Sequence, residues 1–411
     1  MTNQVKEEED INLKSINFPP DILAKIAPDV SLQKHLSIGL RPSLRKFEEF
    51  RSISASEFTE NGGNCGEANK DNNILGSSII RCGSTVIICG ISAGIIEDQD
   101  ALINDYRVKL DKDIIDSNES SSGSADQDSD VNCSVYTVVE IMKGRSGPPS
   151  EEEIFLSQKI YEVLLHSGIL KRKALEIELQ MKTIDETTGD IVMIKNQVGD
   201  DGGIANEFMT KKKYSFVLYA NVQVYSKTGP LFDLCYGSII KALQNTYLPF
   251  VYIDEKQIDF NFKNLRGKNG NNNSGIEDNY KLICDPEIKS KLSIDTGKLS
   301  WSSSFGIVDI KPGFDNYNGD EENGDESSNK MQVDVSSVSD QQRAVLLADL
   351  EGESEETAIN KNINVICNGN TEIINGLTIT GGGSGGSKIT LEFIKKSIDL
   401  SMKRSKDLLN L

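Results

Sequence analysis

Histidine is nearly missing from this chain. His35 and His166 are its only two among 411 residues, too few for a histidine-rich zinc site. The seven cysteines (Cys65, Cys82, Cys89, Cys133, Cys235, Cys284 and Cys367) are scattered and include no CxxC pair. No metal site and no cofactor are therefore expected. An odd, dispersed set of thiols fits a reduced intracellular protein in which cysteine acts as a small apolar residue. Long apolar runs are lacking too: no stretch approaches the length of a membrane span. The opening MTNQVKEEED is acidic and has no apolar core of the secretory type. The expectation is a soluble protein of the cytosol or nucleus. Positive charge is in deficit, with 44 Lys and Arg against 63 Asp and Glu and a formal net charge of −19. That balance argues against a free-standing nucleic-acid binder, which would carry a basic surface. It leaves open RNA contact through a few basic residues inside a larger assembly.

Hydrophobic residues make up only 37% of the chain, and the shortfall is local. The segments 59–72, 97–130, 185–213, 263–279 and 315–340 are rich in Asn, Ser, Gly, Asp and Glu. Stretches such as DSNESSSGSADQDSD cannot bury enough apolar surface to offset chain entropy, so these inserts read as disordered surface loops. The remainder is long enough for two domains.

Between the inserts the pattern alternates strand and helix. Residues 18–40 read as an arm of two short helical turns punctuated by Pro19, Pro20 and Pro28. Ile79-Ile80, Val86-Ile87-Ile88 and Ile91, separated by glycines, read as a buried hairpin. Glu151–Ser167 is an amphipathic helix with Ser150 as N-cap and Gly168 after its end. Further strands are expected at 131–139, 173–181, 214–225, 250–253, 280–284, 292–295, 299–305, 306–310 and 345–350, and a last helix at 390–409. Strands followed by helices, twice over, suggest a duplicated α+β or α/β unit.

The most informative stretch is Ala220–Pro249. A strand ends at Tyr225, Ser226-Lys-Thr-Gly-Pro230 is turn chemistry, and apolar residues recur at helical spacing from Leu231 to Tyr247. A turn feeding a helix N-terminus is a ready anion site, because free N–H groups point outward there. Here Pro230 removes one N–H, and Leu231 adds neither hydroxyl nor charge. The architecture suits a phosphate cradle and the residues do not.

Several motifs, in order, carry a family resemblance. They are Arg41-Pro-Ser-Leu-Arg45 with Glu48-Glu49-Phe50-Arg51, the hairpin from Gly76, Gly147-Pro-Pro before a helix, Gly229-Pro-Leu-Phe-Asp233 before the next, Leu282-Ile-Cys-Asp-Pro286, and Lys388-Ile-Thr before the last helix. The set resembles RNase PH-like proteins, and within them the ring subunits of the eukaryotic RNA exosome. The resemblance implies an α+β, RNase PH-like fold of two βαβα-type domains, each a sheet covered by helices. It divides the chain into an arm (1–36), a first domain (37–249) and a second (250–411). It also implies a six-membered hetero-oligomeric ring of same-fold neighbours around a channel for single-stranded RNA. Its further partners would be RNA-binding cap subunits and a hydrolytic exoribonuclease subunit, in the nucleus, nucleolus and cytoplasm.

By the same resemblance, active relatives carry a Gly-Gly-Ser/Thr-Arg type turn where this chain has Thr228-Gly229-Pro230-Leu231. They also carry paired acids where it has Asp285 and Lys291, and an Asp-Gly where it has Ser43-Leu44. Phosphorolysis needs donors, cations and an acid placed together. The expectation is a non-catalytic ring subunit of a complex that processes rRNA and degrades RNA from the 3′ end. The alternative is an active phosphate-dependent 3′–5′ exoribonuclease, and a third reading is an acidic scaffold acting through its loops. Lys143 and Arg145, in a turn before Gly147, are the candidate RNA contacts, set against a merely solvated loop. Asp-Pro at 285–286 also reads as ordinary turn chemistry, and both histidines as surface or helix-end residues.

Overall fold

The computed structural model describes residues 18–56, 73–97, 131–142, 144, 147–184, 191–195, 214–254, 282–310, 343–381 and 389–409. The arm forms two short helices, α1 (Pro20–Ile26) and α2 (Pro28–Ser37), each opening on a proline where a missing N–H costs nothing. Leu32 and Leu36 of α2 bury against Val308, Leu347, Leu350 and Ile359, so the arm packs on its own chain.

The first sheet contains β1 (Ile53–Ser56), β2 (Ile74–Cys82), β3 (Thr85–Glu97), β5 (Tyr136–Ile141) and β10 (Tyr214–Tyr225), in the order β1-β2-β3-β10-β5. A short β4 (Asn132–Cys133) pairs with β6 (Leu170–Lys171), and β7 (Glu176–Ile177) pairs with the start of β10. The β2–β3 hairpin turns at Gly83, whose φ of +60° is the left-handed conformation tight hairpins require. Alternation sets the register: Phe216, Leu218, Ala220, Val222 and Val224 of β10 all point into the core. Strand β5 runs parallel to β10 at the sheet's edge.

A second sheet has the order β12-β11-β8-β9, from β8 (Gln180–Ile184), β9 (Ile191–Lys195), β11 (Tyr247–Asp254) and β12 (Leu282–Lys291). A third has the order β14-β13-β15-β16, from β13 (Trp301–Ile310), β14 (Arg343–Ala348), β15 (Lys361–Cys367) and β16 (Ile374–Thr380).

The helices are α3 (Glu151–Ser167), α4 (Phe232–Gln244), α5 (Gly352–Ala358) and α6 (Leu391–Leu409). Helix α6 lays Phe393, Ile394, Ile398 and Met402 toward Phe305, Ile363, Val365 and Cys367 of the third sheet. Gly168, in the left-handed conformation, ends α3 as expected. Among the described residues, no helix is long and apolar enough to cross a membrane.

Helix α4 is buried on nearly every side, from Phe232 through Leu243. Such an all-round apolar helix must sit between two layers. It packs on β2 and β3 with one face and on β13 with the other. The approach to β13 is close enough to need a glycine: a Cβ at Gly237 would lie 2.7 Å from Cζ3 of Trp301. The Tyr236 hydroxyl meets Ser300 at 2.9 Å in the same layer.

Several expectations are corrected. Helix α4 stops at Gln244, because Tyr247 already begins β11. Strand β12 extends to Lys291, well past the expected end at 284. Residues 292–295 form no strand: Asp295 accepts the Gly297 N–H at 3.1 Å and opens a 3-10 turn. The expected strands 299–305 and 306–310 are one strand, β13. The stretch 173–181 is broken by a 3-10 turn at Arg172–Ala174 and two short strands. Within the supposed insert 185–213, β9 pairs with β8. The other inserts lie outside the described residues, except Glu97, which ends β3. Strand β11 runs through positions 249–250 and pairs with β8 on one side and β12 on the other, so backbone hydrogen bonds link the regions before and after that point.

A methyl group at Gly237 has no room against the rigid indole. Gly237→Ala is expected to lose about 1–3 kcal/mol by overpacking. Urea unfolding would show this as a lower midpoint with an unchanged slope, and an unchanged midpoint would contradict the close packing described.

Candidate functional site

The turn between β10 and α4 is where the sequence places the phosphate cradle. Ser226 adopts φ +55° and Gly229 φ +98°, so the chain reverses through two left-handed residues. At Gly229 the restriction is severe, because a Cβ there would lie 2.4 Å from the Leu350 carbonyl oxygen. The segment after β14 therefore closes directly over the turn.

The donors of Thr228 are already used. Its N–H donates to Oγ1 of Thr85 at 3.2 Å, and the two hydroxyls are 2.8 Å apart. Thr85 in turn donates to the Ser226 carbonyl at 3.1 Å. Pro230 has no N–H, and Leu231 is buried at the helix cap with no side-chain capping bond. The positive end of α4 faces the helix's own carboxylate, Asp233. Asp233 accepts from the Ser302 hydroxyl and, at 3.0 Å, from Asn364 Nδ2. Lys159 sits 4.2 Å over the Phe232 ring; burial pushes its pKa down, with Asp233 opposing.

Cations do reach the turn, but they are paired. Arg51 forks onto Asp349, Nε to Oδ2 at 2.9 Å and Nη2 to Oδ1 at 2.8 Å, and its backbone N–H adds a third bond at 2.9 Å. Its remaining Nη1 donates to the Thr228 carbonyl at 3.0 Å and hydroxyl at 3.2 Å. Arg45 bonds the Asp349 carbonyl at 2.9 Å and Glu351 at 3.0 Å. Arg41, wholly buried, forks onto Glu355 and donates to the carbonyls of Ala348 at 2.6 Å and Asp349 at 2.9 Å. Lys227 bridges Glu152 at 2.8 Å and Glu356 at 2.9 Å.

Burial alone would raise the Asp349 carboxyl and lower the Arg51 guanidinium. Their mutual hydrogen bonds and charges outweigh it, holding Asp349 below the usual carboxylate range and Arg51 above its own. Asp349 also adopts φ +50°, a conformation Asp tolerates better than most residues.

The degenerate acid site, Asp285 and Lys291, is on edge strand β12 of the second sheet, whereas the turn follows β10 of the first. Asp285 stands inside β12 rather than after a strand, opposite Phe250 beside an irregularity in register. Its Oδ1 accepts the Glu287 N–H at 2.9 Å, the local turn bond that Asp commonly makes. Lys291 is exposed at the strand's end, opposite Tyr247. Neither makes a hydrogen bond or ion pair to residues 226–231 among the described residues. Lys143 and Arg145 lie outside the described residues. His35 donates to the Ser31 carbonyl at 2.7 Å within α2, and His166 is exposed near the end of α3.

Sequence reading missed the pairing of Arg41, Arg45 and Arg51 with Asp349, Glu351 and Glu355. The opening motif flagged the arginines, but nothing local flagged acids some 300 residues on.

Residues 64–249 match the family described as 3′ exoribonuclease family, domain 1. Over these residues the chain is similar to RNase PH domains, and its α+β architecture is of the RNase PH-like class. It is similar to the exosome complex component rrp43 of Schizosaccharomyces pombe, 26% identical over 244 residues; the match spans 59% of this chain and 66% of the relative, just under two thirds. Among solved structures, an Archaeoglobus fulgidus exosome with RNA bound to the active site aligns at 14% identity and TM-score 0.49, over 94% of this chain and 98% of that one. An archaeal exosome core aligns with the same identity and score, over 95% and 98%.

Breaking the Arg51–Asp349 fork leaves a buried cation unpaired. Asp349→Asn is expected to cost about 3–5 kcal/mol at neutral pH. Because the folded pKa is depressed, the stabilisation is full above the ordinary carboxylate pKa of about 3.9 and is lost as pH falls through the folded value. The stability gap between wild type and variant should therefore narrow below about pH 4. Chemical unfolding at a series of pH values checks this, and a gap that stays constant into strong acid would contradict it.

Proposed function

We propose that this chain is a non-catalytic RNase PH-like subunit of an RNA exosome ring. Its two RNase PH-like units, divided near residue 249, scaffold a channel through which single-stranded RNA passes. The observation that carries the proposal is the turn Thr228–Leu231. Its hydroxyl and N–H face Thr85 and Arg51, Pro230 supplies no donor, and Asp233 occupies the helix's positive end. An incoming phosphate would meet the donors of Thr228 already engaged and a carboxylate nearby. Lys291 stands where the second acid would be, so charge developing on a displaced phosphate has no acid pair to work with.

The likeness to an exosome component supports the rest of the reading. Neighbours of the same fold complete a hetero-hexamer, cap subunits bind RNA above it, and a separate subunit supplies hydrolysis. The complex acts on ribosomal and other RNAs in nucleus, nucleolus and cytoplasm. Lys143 and Arg145 touch the RNA backbone, giving weak, sequence-independent contact.

Two measurements test this. The chain, alone and assembled with its ring neighbours, is given single-stranded RNA and inorganic phosphate. No nucleoside diphosphate above background is expected; release that disappears on mutating Asp285 would overturn the non-catalytic reading. Separately, Lys143→Glu with Arg145→Glu in the assembled ring should cut RNA crosslinking to this subunit severalfold. Unchanged crosslinking would remove these residues from the RNA path.

A further inference from the structure

Helix α6 pairs two of its exposed cations with carboxylates: Lys396 meets Glu48, and Lys406 meets Glu372 at 3.2 Å. Arg404, on the same helix, is only 7% exposed and has no such partner. Its Nη1 is buried without an acceptor, and Arg404 enters none of the ion pairs among the described residues.

The neighbours of Arg404 explain why its charge stays unmatched. Its guanidinium carbon lies 4.2 Å over the ring of Phe50, which meets Phe305 edge-on at 5.6 Å. A ring face attracts a cation but has no lone pair for five N–H groups. Phe50 precedes Arg51, and the Arg404 charge is felt within the arginine–acid cluster. Burial would raise the Asp349 carboxyl, and Arg51 first, then Arg404, hold it below the usual carboxylate range. Both Asp349 oxygens are nevertheless taken. Oδ2 accepts the Arg51 Nε and backbone N–H, each at 2.9 Å, and Oδ1 accepts Nη2 at 2.8 Å. Glu351 pairs with Arg45 and Glu355 with Arg41. Four guanidinium groups thus share three carboxylates, and Arg404 is the one in excess.

A buried guanidinium without an acceptor is costly, and arginine cannot relieve the cost by losing its proton. We infer that Arg404 binds a small oxyanion of the phosphate class through the N–H groups that have no acceptor in the protein. The planar fork of a guanidinium matches phosphate oxygens two at a time. Exposure of 7% suits a free ion and not a polymer backbone. The carboxylates of Asp349 and Glu351 also repel a polyanion, whereas one small ion restores the charge balance of the cluster. Such an ion is structural: it joins α6 to the 41–51 segment through Phe50. It is distinct from the Thr228 turn, whose cation Arg51 is already bonded to Thr228 and Asp349.

The test uses the full chain, with inorganic phosphate as probe in place of chloride at constant ionic strength. Wild type should bind phosphate saturably in equilibrium dialysis. At phosphate ten times its dissociation constant, the unfolding equilibrium constant should fall about tenfold by linkage. Arg404→Met keeps an unbranched side chain over Phe50 and removes the donors, so the binding and the tenfold gain should vanish together. No saturable binding to wild type overturns the inference. An equal gain in both proteins also overturns it, being a general salt effect. A gain with single-stranded RNA but not with phosphate overturns it in favour of a polymer phosphate. An Arg404-dependent gain seen only on assembly with ring neighbours overturns it in favour of a partner's carboxylate. If Arg404→Met does not fold, Arg404→Lys keeps the charge without the fork and should bind phosphate severalfold more weakly; equal affinity overturns the inference.

Discussion

Three arginines from one short segment must find carboxylates inside the protein, and much of the architecture follows from that. Arg41 is fully buried and Arg51 nearly so. Removing a guanidinium from water costs several kcal/mol unless it is paired and its N–H groups are satisfied. The fork of Arg51 on Asp349 and of Arg41 on Glu355 meets that requirement. Meeting it forces residues 41–51 against the end of β14 and the start of α5. The same placement brings Arg51 Nη1 onto Thr228 and the Leu350 carbonyl onto Gly229. The chemistry of the turn is thus decided by ion pairs formed elsewhere: a cation close enough to serve an anion is held by Asp349.

The parts of the fold written in local pattern were legible. The β2–β3 hairpin, the capped helix α3, and the strand–turn–helix around Thr228 all show in side-chain periodicity and turn residues. What the sequence concealed depends on distance. Nothing near Arg51 indicates that its partner lies 298 positions on. Strand β15, with Ile363, Val365, Ile366 and Cys367 all buried, lacks the alternation that marks a half-exposed strand, and it escaped notice. Strand β9 is the short apolar run Ile191-Val-Met-Ile inside a polar stretch that composition assigned to loop, and it pairs with β8.

At the candidate site, the missing groups at Pro230 and Leu231 were legible because they are absences in the chain itself. The closure of the turn by Thr85, Arg51 and Leu350 was not, since each comes from a different region. Asp285 shows the opposite error: an acid expected at the end of a strand sits within one, because β12 continues through an irregular register. Both cases say that residue type is local information, while accessibility and partnership are properties of the assembled layers. Helix α4 illustrates the same point, for it serves both sheets it touches and leaves its N-terminus to its own Asp233.

The separation of the arginines from their acids also has a consequence in time. Glu355 leaves the ribosome 314 residues after Arg41, roughly 15–60 s at ordinary rates of synthesis. During that interval the N-terminal segment lacks the carboxylates its arginines pair with in the folded chain, and Leu32, Leu36 and Phe50 have no third sheet to cover them. The nascent chain must carry a charged, partly apolar strap that stays open until its last third emerges. Closure of the segment 32–51 therefore waits for residues 344–365, which makes this early segment one of the later described parts to settle.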